Sequence, residues 1–372
     1  MNDNVQRILL VFGKLNRGGA ETLAMNIFRK IDKNKIIFDF AVHTDDKCDY
    51  DEEILKLGGR IYHFPRYNIA NHFYYKKCWT DFFDKHPEYK IIHTHMSGSA
   101  AIFLSLAKNR GIFNISHSHT VAPKNGLRQV IVNSYRFPLR YICDYMFGCS
   151  DQAGQWMFGK RIIKKSNYKT IKNGIDINRF VYSKHSRDAI RKEFNINENV
   201  FVLGNVARFD IAKNHIYLID IFKELHRINS NTKLLLVGDG LLRSEIEQKI
   251  TALGLKNDVI LTGVRKDVAD ILSAMDCFVM PSVFEGLPLS VIEAQASGLP
   301  CLLTDSISCE VKCTDLVEFC SINESPSVWA QMILKYSDGY KRENTKNQLA
   351  AAGYDIQETA NWLQNFYLEH SK

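Results

Sequence analysis

The chain has 372 residues, 45% of them apolar and 24% charged. It is too long for one ordinary core of ~100–200 residues and suits two domains of similar size. That composition excludes disorder, collagen and coiled coil as the main organisation. The longest apolar runs, such as Ile8 to Phe12 and Cys277 to Pro281, fall far short of the ~20 residues that span a bilayer. The net charge of +7 hides an asymmetry. Residues 1–178 carry 27 Lys+Arg against 16 Asp+Glu, and the remainder 21 against 25, so the balances are +11 and −4. A positive half of this kind suits nucleic acid, anionic lipid or a phosphorylated substrate.

The N-terminal stretch MNDNVQRILLVFG has no cationic region ahead of a long apolar one. It reads as a first strand, not a signal peptide. Short β-branched runs then alternate with longer amphipathic stretches. Strands are expected at Arg7–Gly13, Ile37–His43, Arg60–Phe64, Lys90–Thr94, Phe113–His117 and Tyr145–Cys149. Helices such as Ala20–Lys30, Phe73–Lys85 and Ala100–Arg110 separate them. A polar interruption at Tyr182–Asn199 marks the join between two domains, near residues 175–198. Strands resume at Val200–Val206, Lys233–Val237, Val259–Thr262, Cys277–Met280 and Cys301–Leu303, with helices at Asn214–Arg227, Leu241–Ala252 and Pro288–Ser297. This alternation predicts two doubly wound α/β domains with parallel sheets. The expected division is 1–178, joined by an aromatic-rich C-terminal helix at about 355–370 packing back on it, and 179–354. Nine scattered cysteines with no export signal suggest reduced thiols in the cytoplasm.

Ligands of open α/β sheets bind at the carboxyl ends of the strands, so chemistry is sought just after strands. The most informative segment is PSVFEGLPLSVIEAQASGLP, residues 281–300. Glu285 closes a strand-end loop, and Gly286, Leu287, Pro288 and Leu289 open a helix with Pro288 in its first turn. Free amides there suit an anion. Glu293 leans back toward the same place, and carboxylates suit paired sugar hydroxyls. Arg208 and Lys213 follow the strand Val200–Val206. Cations at a helix start are unfavourable unless an anion binds there. Gly18 and Gly19 follow the first strand and allow close backbone approach, without matching a dinucleotide fingerprint.

The pattern Glu-x7-Glu within EGLPLSVIEAQASGLP resembles the signature of family 4 of the retaining, nucleotide-sugar-dependent glycosyltransferases. LNRGGAETLAMNI, ISHSHT, FGCSDQAGQWMFG, NGIDINRF, GNVARFDIAKNH, LLLVGDGLLRSEIE and LTGVRKDV resemble family segments in the expected order. The wording is closest to bacterial members that build capsular or exopolysaccharide. The resemblance implies the GT-B fold, two Rossmann-like domains facing across a cleft. It implies that Arg208 and Lys213 ground the donor diphosphate in place of a metal, so no metal or other cofactor is expected. Glu285 would hold the donor sugar's hydroxyls and Glu293 the nucleotide ribose. Gly263, Val264 and Arg265 would meet the base through backbone groups. Gly18 and Gly19 would meet the diphosphate and the acceptor. His119 would lie near the donor hexose, with His117 structural, though which of the two faces the cleft is open. UDP-hexose is the default donor, and a lipid-linked saccharide the expected acceptor.

Three other readings compete. His93-Thr94-His95 and His117-Ser118-His119 are His-x-His pairs that could each chelate a metal, but no third and fourth ligands stand nearby in the sequence. Asp49-Tyr50-Asp51 matches the Asp-x-Asp of metal-using transferases, yet DDKCDYDEE reads better as a solvated helix start. Cys309, Cys313 and Cys320 lack a CxxC pair and read as core thiols. A nucleotide-sugar epimerase or binding protein on the same fold is the other alternative. No nucleic-acid motif is evident. Segment 121–141, with Lys124, Arg128, Arg136 and Arg140 among aromatics, is a candidate surface for anionic lipid. It would place the protein peripherally on the inner face of the plasma membrane.

Overall fold

The computed structural model describes residues 5–119, 136–337 and 339–371. The chain divides into two compact units, 1–174 with 355–372, and 175–354. Each is built on a parallel sheet.

In the first unit the strands are β1 (Gln6–Phe12), β2 (Ile36–Val42), β3 (Ile61–His63), β4 (Ile91–Thr94), β5 (Phe113–Ser118), β6 (Tyr145–Gly148) and β7 (Tyr168–Thr170). Their order is β3-β2-β1-β4-β5-β6-β7. The central strands are apolar throughout, as burial on both faces requires. One face packs on the helices His72–Lys85 and Ala100–Lys108, where Trp79, Phe83, Phe103 and Leu104 are buried. The other takes the helices Gly19–Lys30 and Ile356–His370. Ile356, Leu363, Phe366 and Tyr367 of the C-terminal helix are buried among Ile8, Leu10 and Phe38. Asp39, buried in β2, carries charge into this unit. It is answered by Arg7 at 2.5 and 2.6 Å and by the Tyr89 hydroxyl at 2.6 Å.

The second unit contains β8 (Phe201–Val206), β9 (Thr232–Val237), β10 (Val259–Leu261), β11 (Cys277–Met280), β12 (Cys301–Thr304) and β13 (Val317–Cys320). Their order is β10-β9-β8-β11-β12-β13. The helices His215–Ile228 and Pro326–Leu334 cover one face around Phe222 and Trp329. The stretch expected to be a connecting segment is structured. Lys184–Glu193 is a helix capped by Ser183. Two of its cations point inward: Arg187 and Arg191 reach the Asp276 carboxylate at 2.7 and 2.6 Å. Polarity marked this segment as a linker in the sequence, but Arg187 and Arg191 have internal partners.

None of the nine cysteines is in a disulfide, and no helix among the described residues is long and apolar enough to cross a membrane.

Candidate active site

In both sheets the strand order reverses between neighbours that are far apart in sequence, β1 and β4 in one, β8 and β11 in the other. Loops diverge at such switch points and leave a crevice at the strand ends. The chemistry-bearing residues collect there.

In the second unit, β8 leads into Arg208 and a single turn, Ile211–Lys213. Asp210 caps this turn by accepting from the Lys213 amide. Asn214 follows in the left-handed conformation, φ 54°, which asparagine tolerates better than most residues. β11 leads into the loop 281–288. The Val283 amide donates to the Ala212 carbonyl at 2.8 Å, so loop and turn are tied together. That contact brings Lys213 Nζ onto Glu285 Oε1 as an ion pair with both side chains largely buried. Arg208 stays mostly exposed and pairs with Asp210 at 3.0 Å.

Pro288 stands at the N-cap of the helix Leu289–Ala296, with no side-chain cap. It precedes the first turn instead of lying in it. The helix therefore starts with uncapped amides, an anion-binding arrangement. Gly286 is exposed, and a Cβ there would meet nothing, so the backbone is open to a ligand. Leu287 and Leu289 pack partly on the core and anchor the loop. One turn into the helix, Glu293 is partly buried, and its carbonyl accepts from the Ser297 amide at 3.1 Å. Burial pushes its carboxyl up to about 7, opposed by the charge of Arg179.

Gly263 has φ +70°, where a side chain would be strained. Its carbonyl accepts from the Gly238 amide at 3.0 Å. Val264 is exposed. The Arg265 side chain is held by Glu193 at 2.7 Å and Asp267 at 2.7 Å, so only its backbone is free for a base. Arg179 was not singled out in the sequence. It lies in the quoted NGIDINRF, and its guanidinium donates to the Lys266 carbonyl at 2.9 Å. Its proximity to Glu293 depends on the packing of Ile177–Phe180 against the helix Leu289–Ala296, which spacing does not reveal.

In the first unit, Gly18 is the N-cap of the helix Gly19–Lys30. A Cβ on Gly18 would collide with the Glu21 carboxylate, which burial raises. Asp51 starts the helix Asp51–Lys56 and accepts from the Cys48 amide at 2.7 Å, while Asp49 accepts from the Arg17 amide at 3.2 Å. Beside the switch point, β4 and β5 are neighbours. The two His-x-His pairs therefore meet, which the sequence reading had not foreseen. His117 is buried within β5, whereas His119, just beyond the strand, is partly exposed. His95 Nδ1 and His119 Nε2 lie 2.7 Å apart. Burial lowers His93 and His119 to about 3, and His95 and His117 well below their ordinary value, so all four are neutral near neutral pH. A separate cavity of about 520 Å³ is lined by His43, Arg66, Tyr67, Ile69, Met96 and Ser99 among others.

Of segment 121–141, residues 121–135 lie outside the described residues. Among the rest, Arg136 stacks on Trp156 at 3.7 Å and donates to its carbonyl; it is 3% exposed. It is therefore not part of a lipid-facing surface.

Two family models match the chain. Glycosyltransferase Family 4 matches residues 17–179, and Glycosyl transferases group 1 matches residues 186–354. A putative glycosyltransferase of Bacillus subtilis, EpsF, is 34% identical, covering 99% of this chain and 97% of its own. An Escherichia coli enzyme, UDP-Gal:alpha-D-GlcNAc-diphosphoundecaprenol alpha-1,3-galactosyltransferase, is 28% identical over 59% of each chain. Among solved structures, Anabaena HepE in complex with UDP superposes with a TM-score of 0.73 at 18% identity, covering 96% of this chain and 95% of that one. Two parallel-sheet units, a strand-end loop carrying Glu285 with Glu293 in the helix that follows, and these matches lead to one conclusion: the chain belongs to glycosyltransferase family 4 and has the GT-B fold.

Proposed function

We propose that the protein transfers a hexose from UDP-hexose to a lipid-linked saccharide, with retention of configuration, in the synthesis of a cell-surface polysaccharide. The observation that carries this reading is the cluster at the second unit's switch point. There Lys213 pairs with Glu285, Arg208 pairs with Asp210, and the loop that carries Glu285 runs into the uncapped helix that bears Glu293.

Cleaving the bond between C1 of the sugar and the diphosphate leaves negative charge on the departing oxygen. Lys213, Arg208 and the amides before Leu289 neutralise that charge as it grows. Lys213 leaves Glu285 for the phosphate when donor binds, and Glu285 turns to the sugar hydroxyls. Glu293 accepts from the ribose hydroxyls. Val264 and Arg265 meet the base through their backbone. His119, a neutral imidazole, hydrogen-bonds a hexose hydroxyl. The acceptor hydroxyl attacks C1 on the face the diphosphate leaves, through an oxocarbenium-like state. Its proton passes to the departing phosphate oxygen. Two fixed cations take the role that Mg2+ or Mn2+ plays in other transferases, so the transfer step needs neither.

The acceptor side belongs to the first unit. Ile69, Phe73 and Tyr74 are 78, 85 and 62% exposed, beside the exposed Arg66, Lys76 and Lys77. Apolar side chains rimmed by cations suit an anionic bilayer surface. The relative from Escherichia coli acts on a diphosphoundecaprenol-linked sugar, which makes that class of acceptor the first to try. HepE, of the same fold, was solved with UDP, and UDP is the first nucleotide to test.

The test is UDP release from UDP-hexose with an undecaprenyl-diphosphate sugar acceptor, without added divalent ions. Acceptor-dependent release with the anomeric configuration kept supports the reading. Epimerised donor without transfer would establish an epimerase instead, and an absolute need for Mg2+ or Mn2+ would overturn the metal-free step. For the membrane contact, the Phe73→Asp variant is expected to float at least fivefold less with vesicles containing anionic lipid than the wild type does. Equal flotation of both proteins would remove this surface from the proposal.

A further inference from the structure

Five imidazole nitrogens on one face of the first sheet have no partner among the described residues: His93 Nε2, His95 Nε2, both nitrogens of His117 and His119 Nδ1. His93 and His117 are each 2% exposed. Burying a polar atom without a hydrogen bond costs about 1–3 kcal/mol, and such orphans are rare enough to require a reason. The sheet places them together. Residues 93 and 95 alternate onto one face of β4, 117 and 119 onto the same face of β5, and β4 and β5 pair with His93 level with Ile115. The rings of His93 and His95 lie 4.5 Å apart, those of His93 and His117 5.5 Å.

We propose that His93, His95 and His117 form a binding site for a borderline divalent transition-metal ion of the Zn2+ or Co2+ kind. One ligand nitrogen from each of the three lies within 4.8 Å of the others. A tetrahedral ion with Zn–N bonds of about 2.0–2.1 Å needs nitrogens about 3.4 Å apart. Ring rotations that close the separations by about 1.4 Å are therefore sufficient. The donor set is all imidazole, which suits Zn2+, Co2+ or Ni2+ and disfavours Mg2+ and Ca2+.

Two ligands already have the outer partners that metal-bound histidines use. His93 Nδ1 lies 2.7 Å from the Tyr367 hydroxyl and His95 Nδ1 2.7 Å from His119 Nε2. Each contact leaves the Nε2 free to face the ion and fixes the ring that bears it. Tyr367 comes from the helix Ile356–His370, so the ion would fasten that helix to the sheet. The fourth position falls to water, since His119 already partners His95. The proposal uses neither Lys213 nor Arg208, and takes His119 only as the partner of His95, so it stands whether or not the phosphate assignment holds.

The test uses the full chain, stripped with a chelator and titrated with Co2+. The wild type is expected to develop the visible bands of four-coordinate Co2+ at one equivalent, displaced by Zn2+, and to melt at higher temperature with Zn2+ present. Metal analysis after Zn2+ loading and dialysis should give one ion per chain, lowered at least tenfold in affinity by His117→Gln and by His93→Gln. The Cys309→Ser, Cys313→Ser double variant, which removes the more accessible thiols, should retain it. Absence of the cobalt bands in the wild type, or Zn2+ held unchanged in both histidine variants, would overturn the proposal. The cobalt spectrum needs no variant, so a misfolded substitution cannot obscure the outcome.

Discussion

Replacing Lys213 by alanine is expected to lower the turnover of sugar transfer at least tenfold, a loss of ~1.4 kcal/mol or more of transition-state stabilisation. Two effects contribute. The departing diphosphate loses a fixed cation in a partly desolvated place, where charge interactions exceed their strength in water. Glu285 also loses the partner it holds without donor, and a largely buried carboxylate left unpaired repels an incoming diphosphate. The second effect makes the variant separable from a general loss of folding. Glu285→Gln in the Lys213→Ala background removes that repulsion, so the double variant should recover part of the donor affinity but not the turnover. Steady-state kinetics on the two single variants and the double variant would check this. Strict additivity of the two substitutions would show that the pair is not a unit. Near-wild-type turnover in Lys213→Ala would remove it from the leaving-group site.

The second large effect concerns Glu293. Burial raises its carboxyl to about 7, from an ordinary value of 4.5. A raised carboxyl favours the protonated fold. Stability from this group is complete below the unfolded value and is lost as pH climbs through about 7. The difference is on the order of 3 kcal/mol for full ionisation. Glu293→Gln carries no such charge. It should melt a few degrees above the wild type at about pH 8, with the gap closing as the pH falls toward 4.5. Donor handling should move the other way. If the ionised carboxylate accepts from ribose hydroxyls, the wild type's KM for donor rises as pH drops below about 7. Glu293→Ala should lower donor turnover at least tenfold. Thermal melts and donor KM across that pH range measure both. A Gln variant no more stable than wild type at high pH, with a flat KM profile, would show that Glu293 is an ordinary solvated helix residue.

Much of this molecule was legible in the chain. β1, β2, β4, β5, β8, β9 and β11 stand within a residue or two of their apolar runs, because a strand buried on both faces needs a continuous one. The short strands Tyr168–Thr170 and Val317–Cys320 escaped. Each lies at a sheet edge, where the exposed Lys169 and the half-exposed Glu318 dilute the apolar signal. The helix Lys184–Glu193 was hidden by its own polarity, since the Arg187 and Arg191 that mark it as solvated are satisfied inside by Asp276.

At the site, the segment 281–300 announced its loop and helix. The pairing of Lys213 with Glu285, 72 residues apart, did not show. It depends on the Ala212–Val283 backbone contact. The histidines teach the same lesson more sharply. Each His-x-His was visible and each looked isolated, because the missing ligands lie on the neighbouring strand, and strand order is not written in local spacing.

The helix Ile356–His370 completes the core of the first unit although 180 residues of the second intervene, from Ile175 to Tyr354. During synthesis, the first unit must wait for a helix made only after the whole of the second. The second half has all its strands and helices in one uninterrupted stretch and can finish folding earlier. Damage to the helix Ile356–His370, by nicking or premature termination, therefore harms the first unit and not the second that precedes it in the chain. It bares Ile8, Leu10 and Phe38 while leaving Phe222 and Trp329 covered.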